Sequence, residues 1–200
     1  MKDNYVLMTG APGSRWSSVA NSLMRCVDFD ITDKSSDRAY KHHNGLLHSG
    51  SYFDPGMEFE FEKDQWDLPF NSYHDQCKKR LIKSHTLATQ LENYKKYPIV
   101  LVLRNDWECF NWWMECGGFD IQYPNYQWYK NPDNMFSQIQ RQNKAINQFI
   151  YNNTNKIVKC TTNRGTIKAL GLSDYGMSDP AVIDNYNERD ICVYVYKSTS

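Results

Sequence analysis

The sequence has no apolar run of the roughly 20 residues that a helix needs to cross a bilayer. Lys2, Asp3 and Asn4 precede a short apolar stretch that a turn interrupts, which fits neither a signal peptide nor a membrane span and leads us to expect a cytoplasmic protein. There is no excess of charge of either sign. Lys+Arg and Asp+Glu both total 23, which argues against a nucleic-acid binder held by a broad basic field and against a nucleic-acid partner. The cysteines lack pairing: Cys26, Cys77, Cys109, Cys116, Cys160 and Cys192 form no C-x-x-C motif, so neither a zinc site nor a disulfide framework is indicated and they read as core thiols. No internal repeat or low-complexity tract divides the chain, and residues 1–200 read as one domain able to bury a single core.

The stretch from Tyr5 to Leu23 organises the rest. Tyr5 to Met8 suits a buried strand, a turn follows with Gly10, Pro12 and Gly13, and helical spacing begins near Ser17 and runs to Val27. A strand, a loop and a helix start leave backbone N–H groups aimed at a helix N-terminus, where phosphate or sulfate is held without any side chain. On the P-loop pattern G-x-x-x-x-G-K-[ST], Gly10 takes the first glycine and Ser17 the hydroxyl position. Arg15 stands in place of the second glycine and Trp16 in place of the lysine. Without that lysine ordinary ATP or GTP hydrolysis loses ground, while anion binding by backbone and Arg15 survives. The plain alternative is a tight strand-to-helix turn with no ligand.

Arg80 to His85 predicts a strand that ends in Lys83, Ser84 and His85, preceded by a short helix over Tyr73 to Arg80 and followed by helix over Thr86 to Tyr94. Pro98 to Leu103 is the strongest strand, central and buried on both faces, and delivers Arg104, Asn105 and Asp106 to the same edge. A helix over Trp107 to Cys116, an irregular aromatic-rich excursion at about 117–134, and a long helix over Met135 to Tyr151 come next. Lys156 to Cys160 reads as strand, Thr166 to Leu172 as helix and Ile191 to Tyr196 as strand. Glu58-Phe-Glu-Phe-Glu62 alternates like a short edge strand, with Glu58, Glu60 and Glu62 on one face. His42, His43 and His48 match no standard metal-ligand spacing, and no metal is expected. The alternation of strands and helices around a first-strand anion loop implies a three-layer α/β/α fold with a mainly parallel sheet, P-loop NTPase-like in plan.

Gly10-Ala-Pro-Gly-Ser-Arg-Trp-Ser-Ser18, Ile82-Lys-Ser-His85 and Val100-Leu-Val-Leu-Arg-Asn-Asp-Trp-Glu-Cys-Phe-Asn-Trp-Trp113, in that order, resemble the sulfotransferase family over roughly the first half of the chain. The resemblance implies a sulfotransferase-type fold and 3′-phosphoadenosine 5′-phosphosulfate (PAPS) as co-substrate. It places Gly10, Pro12, Gly13, Ser14, Arg15, Trp16, Ser17 and Ser18 around the phosphosulfate. His85 falls at the catalytic-base position, with Arg15 and Lys83 supplying positive charge, and Arg104 and Asn111 reach the 3′-phosphate. The chain departs from the family pattern where Gly13 replaces the usual loop Lys or Arg, where Asp106 replaces proline, and where Trp112 aligns with the expected serine unless one residue is deleted, which brings Asn111 there. The acceptor so implied is a small molecule or carbohydrate with a hydroxyl or amine, and the aromatics from Phe119 to Tyr129 suit a lid over a sugar or phenol. The alternatives are a degenerate P-loop nucleotide or nucleoside kinase, and an inactive α/β protein that keeps an anion site.

Overall fold

The computed structural model describes residues 4–30, 57–58, 78–115, 131–173 and 185–198. Strands β1 (Tyr5–Gly10), β2 (Met57–Glu58), β3 (Arg80–Lys83), β4 (Ile99–Arg104), β5 (Ile157–Cys160) and β6 (Ile191–Tyr196) form one sheet in the order β2-β3-β1-β4-β6-β5. Helices α1 (Trp16–Leu23), α2 (Asp106–Glu115), α3 (Pro132–Asn152) and α4 (Asn163–Ala169) pack around it. The protein is α/β with a mixed sheet. β1, β2, β3 and β4 are mutually parallel, and β6 is antiparallel to both β4 and β5.

The reversal of β6 has a local cause. Tyr186 N–H donates to Thr161 O, just past the end of β5, so the chain re-enters the sheet at its carboxyl edge and can only run back. Asp190, in the left-handed region at φ 52°, makes the corner.

Each strand presents alternate residues to opposite layers. Val6, Met8, Val100, Val102, Val193 and Val195 meet α1 and α4 through Val19, Ala20, Leu23 and Ile167. Leu7, Ile82, Ile99, Leu101 and Tyr196 meet α3 and the turns after β3 through Ile146, Phe149, Leu87 and Leu91. β4 is fully buried from Ile99 to Val102, as a central strand requires. A third cluster of Ala11, Cys109, Trp113, Met135 and Ile139 ties the loop after β1 to α2 and α3.

Several element boundaries differ from the expectations. The helix expected from Ser17 to Val27 ends at Leu23 and leaves Val27 exposed, because Phe29 and Asp30 turn back to pair with Lys79. Thr86 to Tyr94 forms a pair of short 3₁₀ turns, Thr86–Thr89 and Leu91–Tyr94, in place of one helix. There Ser84 Oγ accepts from Thr86 N–H, and Thr89 Oγ1 donates to Thr86 O. These side-chain bonds compete with a helical ladder. Residues 78–80 are not helical: Lys79 bridges to Phe29 and Arg80 opens β3. Helix α4 starts earlier than expected, where Thr162 Oγ1 accepts from Gly165 N–H. The rest of the Tyr73 to Arg80 segment, Glu60 and Glu62, the histidines from His42 to His48 and the excursion from Phe119 to Tyr129 lie outside the described residues.

Candidate functional site

Strand adjacency assembles the site. β1 lies between β3 and β4 and parallel to both, with Met8 beside Lys83 and Gly10 beside Val102. The Gly10–Ser18 loop, the Lys83–His85 turn and Arg104 therefore share the carboxyl edge of the sheet, where open α/β sheets hold their ligands.

The loop is shaped by its residues. Ser14 N–H donates to Ala11 O across Pro12 and Gly13, and Gly13 sits at φ 75°, the combination of a type II turn. A Cβ on Gly13 would stand 1.8 Å from Cys109 O, so the glycine is needed for room as well as for φ. Gly10 is as confined: a Cβ there would meet Ser14 Oγ at 2.5 Å. Arg15, at φ 66°, occupies the left-handed region at the position where the P-loop pattern has its second glycine. The chain accepts that strain, about 1 kcal/mol for a non-glycine residue, and the Arg15 guanidinium stacks over the Trp112 ring at 4.3 Å.

Trp16 begins α1, and its indole packs in the core with Val19 and Met8. Ser14 is fully buried and its Oγ has no hydrogen-bond partner among the described residues. Ser17 is half-buried in the first helical turn and Ser18 is buried. Pro12 is buried within the loop.

Lys83 and His85 are buried too, at 1% and 2% exposure, and His85 meets the edge of Trp16 at 6.3 Å between ring centroids. His85 takes the N-cap position of the following turn but its side chain does not cap it, and Ser84 does so instead. The histidine and the loop thus touch through Trp16.

Arg104 braces the loop. Its Nη1 donates to Gly13 O at 3.5 Å and to Glu108 O at 3.2 Å, its Nη2 pairs with Glu108 Oε2 at 3.4 Å, and its Nε has no partner among the described residues. Asn111 lies exposed on α2. Of the α2 aromatics, Trp113 is buried in the cluster with Met135, while Trp107 is 60% exposed and stacks on Phe136. Cys109, under the loop, is pushed up to about 12 by burial, so its thiol stays protonated and donates to Arg104 O.

The sequence reading missed a polar group on the inward face of α3. Asn143 Nδ2 donates to Arg104 O at 2.9 Å and to Asp106 Oδ1 at 2.6 Å. Gln142, fully buried one residue earlier, has no partner for either amide atom among the described residues. The signal was present as Gln138, Gln142 and Asn143 interleaved with Ile139 and Ile146 on the buried face of a helix. No group of three His, Cys, Asp or Glu side chains suited to a metal occurs among the described residues, and no helix there is long and apolar enough to cross a membrane. No protein-family model, curated protein or solved structure matches the chain.

Proposed function

We propose that this protein is a sulfotransferase that moves a sulfuryl group from PAPS to a hydroxyl or amine of a small-molecule or carbohydrate acceptor. The observation that carries this reading is the convergence of the Gly10–Ser18 loop, Lys83 to His85 and Arg104 at one edge of three adjacent parallel strands. The left-handed Arg15 supports it, because a positive φ that glycine adopts without strain is held at the position where the P-loop pattern has a glycine.

In this reading the N–H groups at the start of α1, with Ser17 and Arg15, hold the 5′-phosphosulfate. His85 takes the acceptor's proton as the acceptor oxygen or nitrogen bonds to sulfur. The bond from sulfur to the 5′-phosphate oxygen breaks, and adenosine 3′,5′-bisphosphate leaves. Lys83 adds charge at the transferring oxygens, and Arg104 exchanges Glu108 for the 3′-phosphate, assisted by Asn111. The kinase reading is weaker. Trp16 stands where a phosphate-gripping lysine belongs, and its indole is in the core.

Calorimetry with PAPS, adenosine 3′,5′-bisphosphate and ATP tests the proposal. Binding of the first two without Mg²⁺ is expected. Mg²⁺-dependent binding of ATP alone, or no binding of any of the three, would overturn it.

A further inference from the structure

Helix α2 lies directly against the Gly10–Ser18 loop. A Cβ on Gly13 would stand 1.8 Å from Cys109 O, so loop and helix touch at the backbone. Beside that contact Arg104 Nη1 donates to Gly13 O and the guanidinium pairs with Glu108. Trp112, one turn further along α2 than Glu108, is half-buried, and the Arg15 guanidinium stacks over its ring at 4.3 Å from the centroid. The helix thus holds two guanidinium groups, Arg15 from the loop after β1 and Arg104 from the end of β4.

Stacking fixes a guanidinium without using its donors. The indole covers the flat face, while the N–H groups that grip an oxyanion point outward from the edge. An arginine side chain left to rotate has to be ordered when an anion binds, and the stack does that ordering in advance. A glycine at position 15 would meet the left-handed turn with less strain but would bring no cation to the loop.

We propose that Trp112 is a positioning residue for the anion site, holding the Arg15 guanidinium beside the loop so that Arg15 meets the 5′ anionic group of the nucleotide while Arg104 takes the 3′-phosphate. This rests on the reading of the loop as the phosphosulfate site, and adds to it a residue that acts only through Arg15.

Calorimetry without Mg²⁺ tests it with adenosine 3′,5′-bisphosphate and adenosine 5′-monophosphate, which share the 5′-phosphate. Trp112→Leu removes the ring and should weaken both ligands about fivefold, the effect of one arginine that must be ordered on binding. Trp112→Phe keeps an aromatic face and should stay within about twofold of the wild-type protein. In an Arg15→Ala background, Trp112→Leu should cost nothing further, because the side chain it positions is gone. Unchanged or tighter binding by Trp112→Leu, a loss that Trp112→Phe does not restore, a loss confined to the bisphosphate, or a further loss in the Arg15→Ala background would overturn the proposal. Failure of the wild-type protein to bind the bisphosphate would contradict the proposed function itself, and this proposal with it.

Discussion

Gln142 is the residue whose burial asks most for an explanation. It is fully buried in α3, both ends of its amide lack a partner among the described residues, and Thr9 Oγ1 on β1 is likewise buried and unpartnered. Leu7 belongs to the α3-side cluster, so strand alternation puts Thr9 on that side as well. Replacing Gln142 with methionine keeps the volume and removes the unpaired polar atoms. Thermal unfolding of Gln142→Met should show a gain of about 1–3 kcal/mol. A loss of stability would mean that the amide has a partner in solution.

Cys109 gives a pH-dependent prediction. Its thiol is raised from about 9.0 to about 12, chiefly by burial, so the folded state holds the proton that the unfolded chain releases first. Stability from this group is complete below pH 9 and falls as the pH rises toward 12. Cys109→Ala should flatten the alkaline limb of a plot of stability against pH. An unchanged slope would remove Cys109 as its cause.

At the scale of the element, α4 ends in a Schellman motif: Leu172 N–H donates to Ile167 O and Gly171 N–H to Lys168 O, with Gly171 at φ 69°. A Cβ at Gly171 meets nothing within 4 Å, so Gly171→Ala isolates the conformational cost. Denaturant unfolding should show a loss of about 1 kcal/mol. No loss would mean that the helix end re-forms without the left-handed residue.

The elements that the sequence made legible are those with strong hydrophobic periodicity. Tyr5 to Met8, Arg80 to Lys83, Ile99 to Leu103 and Ile191 to Tyr196 appear as strands, and the helix read over Met135 to Tyr151 is present as α3, although it starts three residues earlier than expected, where Asn131 accepts from Asp133 and Asn134 N–H with Pro132 in the first turn. What failed was set by hydrogen bonds that hydrophobic periodicity does not register. The length of α1 depends on Lys79, and the broken turns after β3 depend on Ser84 and Thr86 hydroxyls. The direction of β6 depends on Thr161, about which hydrophobic spacing carries no information.

Across the whole molecule, the loop, the Lys83–His85 turn and Arg104 are separated in sequence and adjacent only because β1 lies between β3 and β4. The alternation of strands and helices made that neighbourhood readable, since open α/β sheets gather the segments that follow their parallel strands at one carboxyl edge. The bracing of the loop by Arg104 is legible only in part: the i, i+4 spacing to Glu108 allows the ion pair, whereas nothing in the spacing points to the bond to Gly13 O.

The central claim is that the carboxyl edge of β3, β1 and β4 holds PAPS. Backbone amide shifts measured on adding adenosine 3′,5′-bisphosphate without Mg²⁺ address it directly. The account predicts saturable changes concentrated at Gly10 to Ser18, Ser84 to His85 and Arg104 to Asp106. Changes confined to other parts of the sheet, or none at saturating ligand, would contradict it.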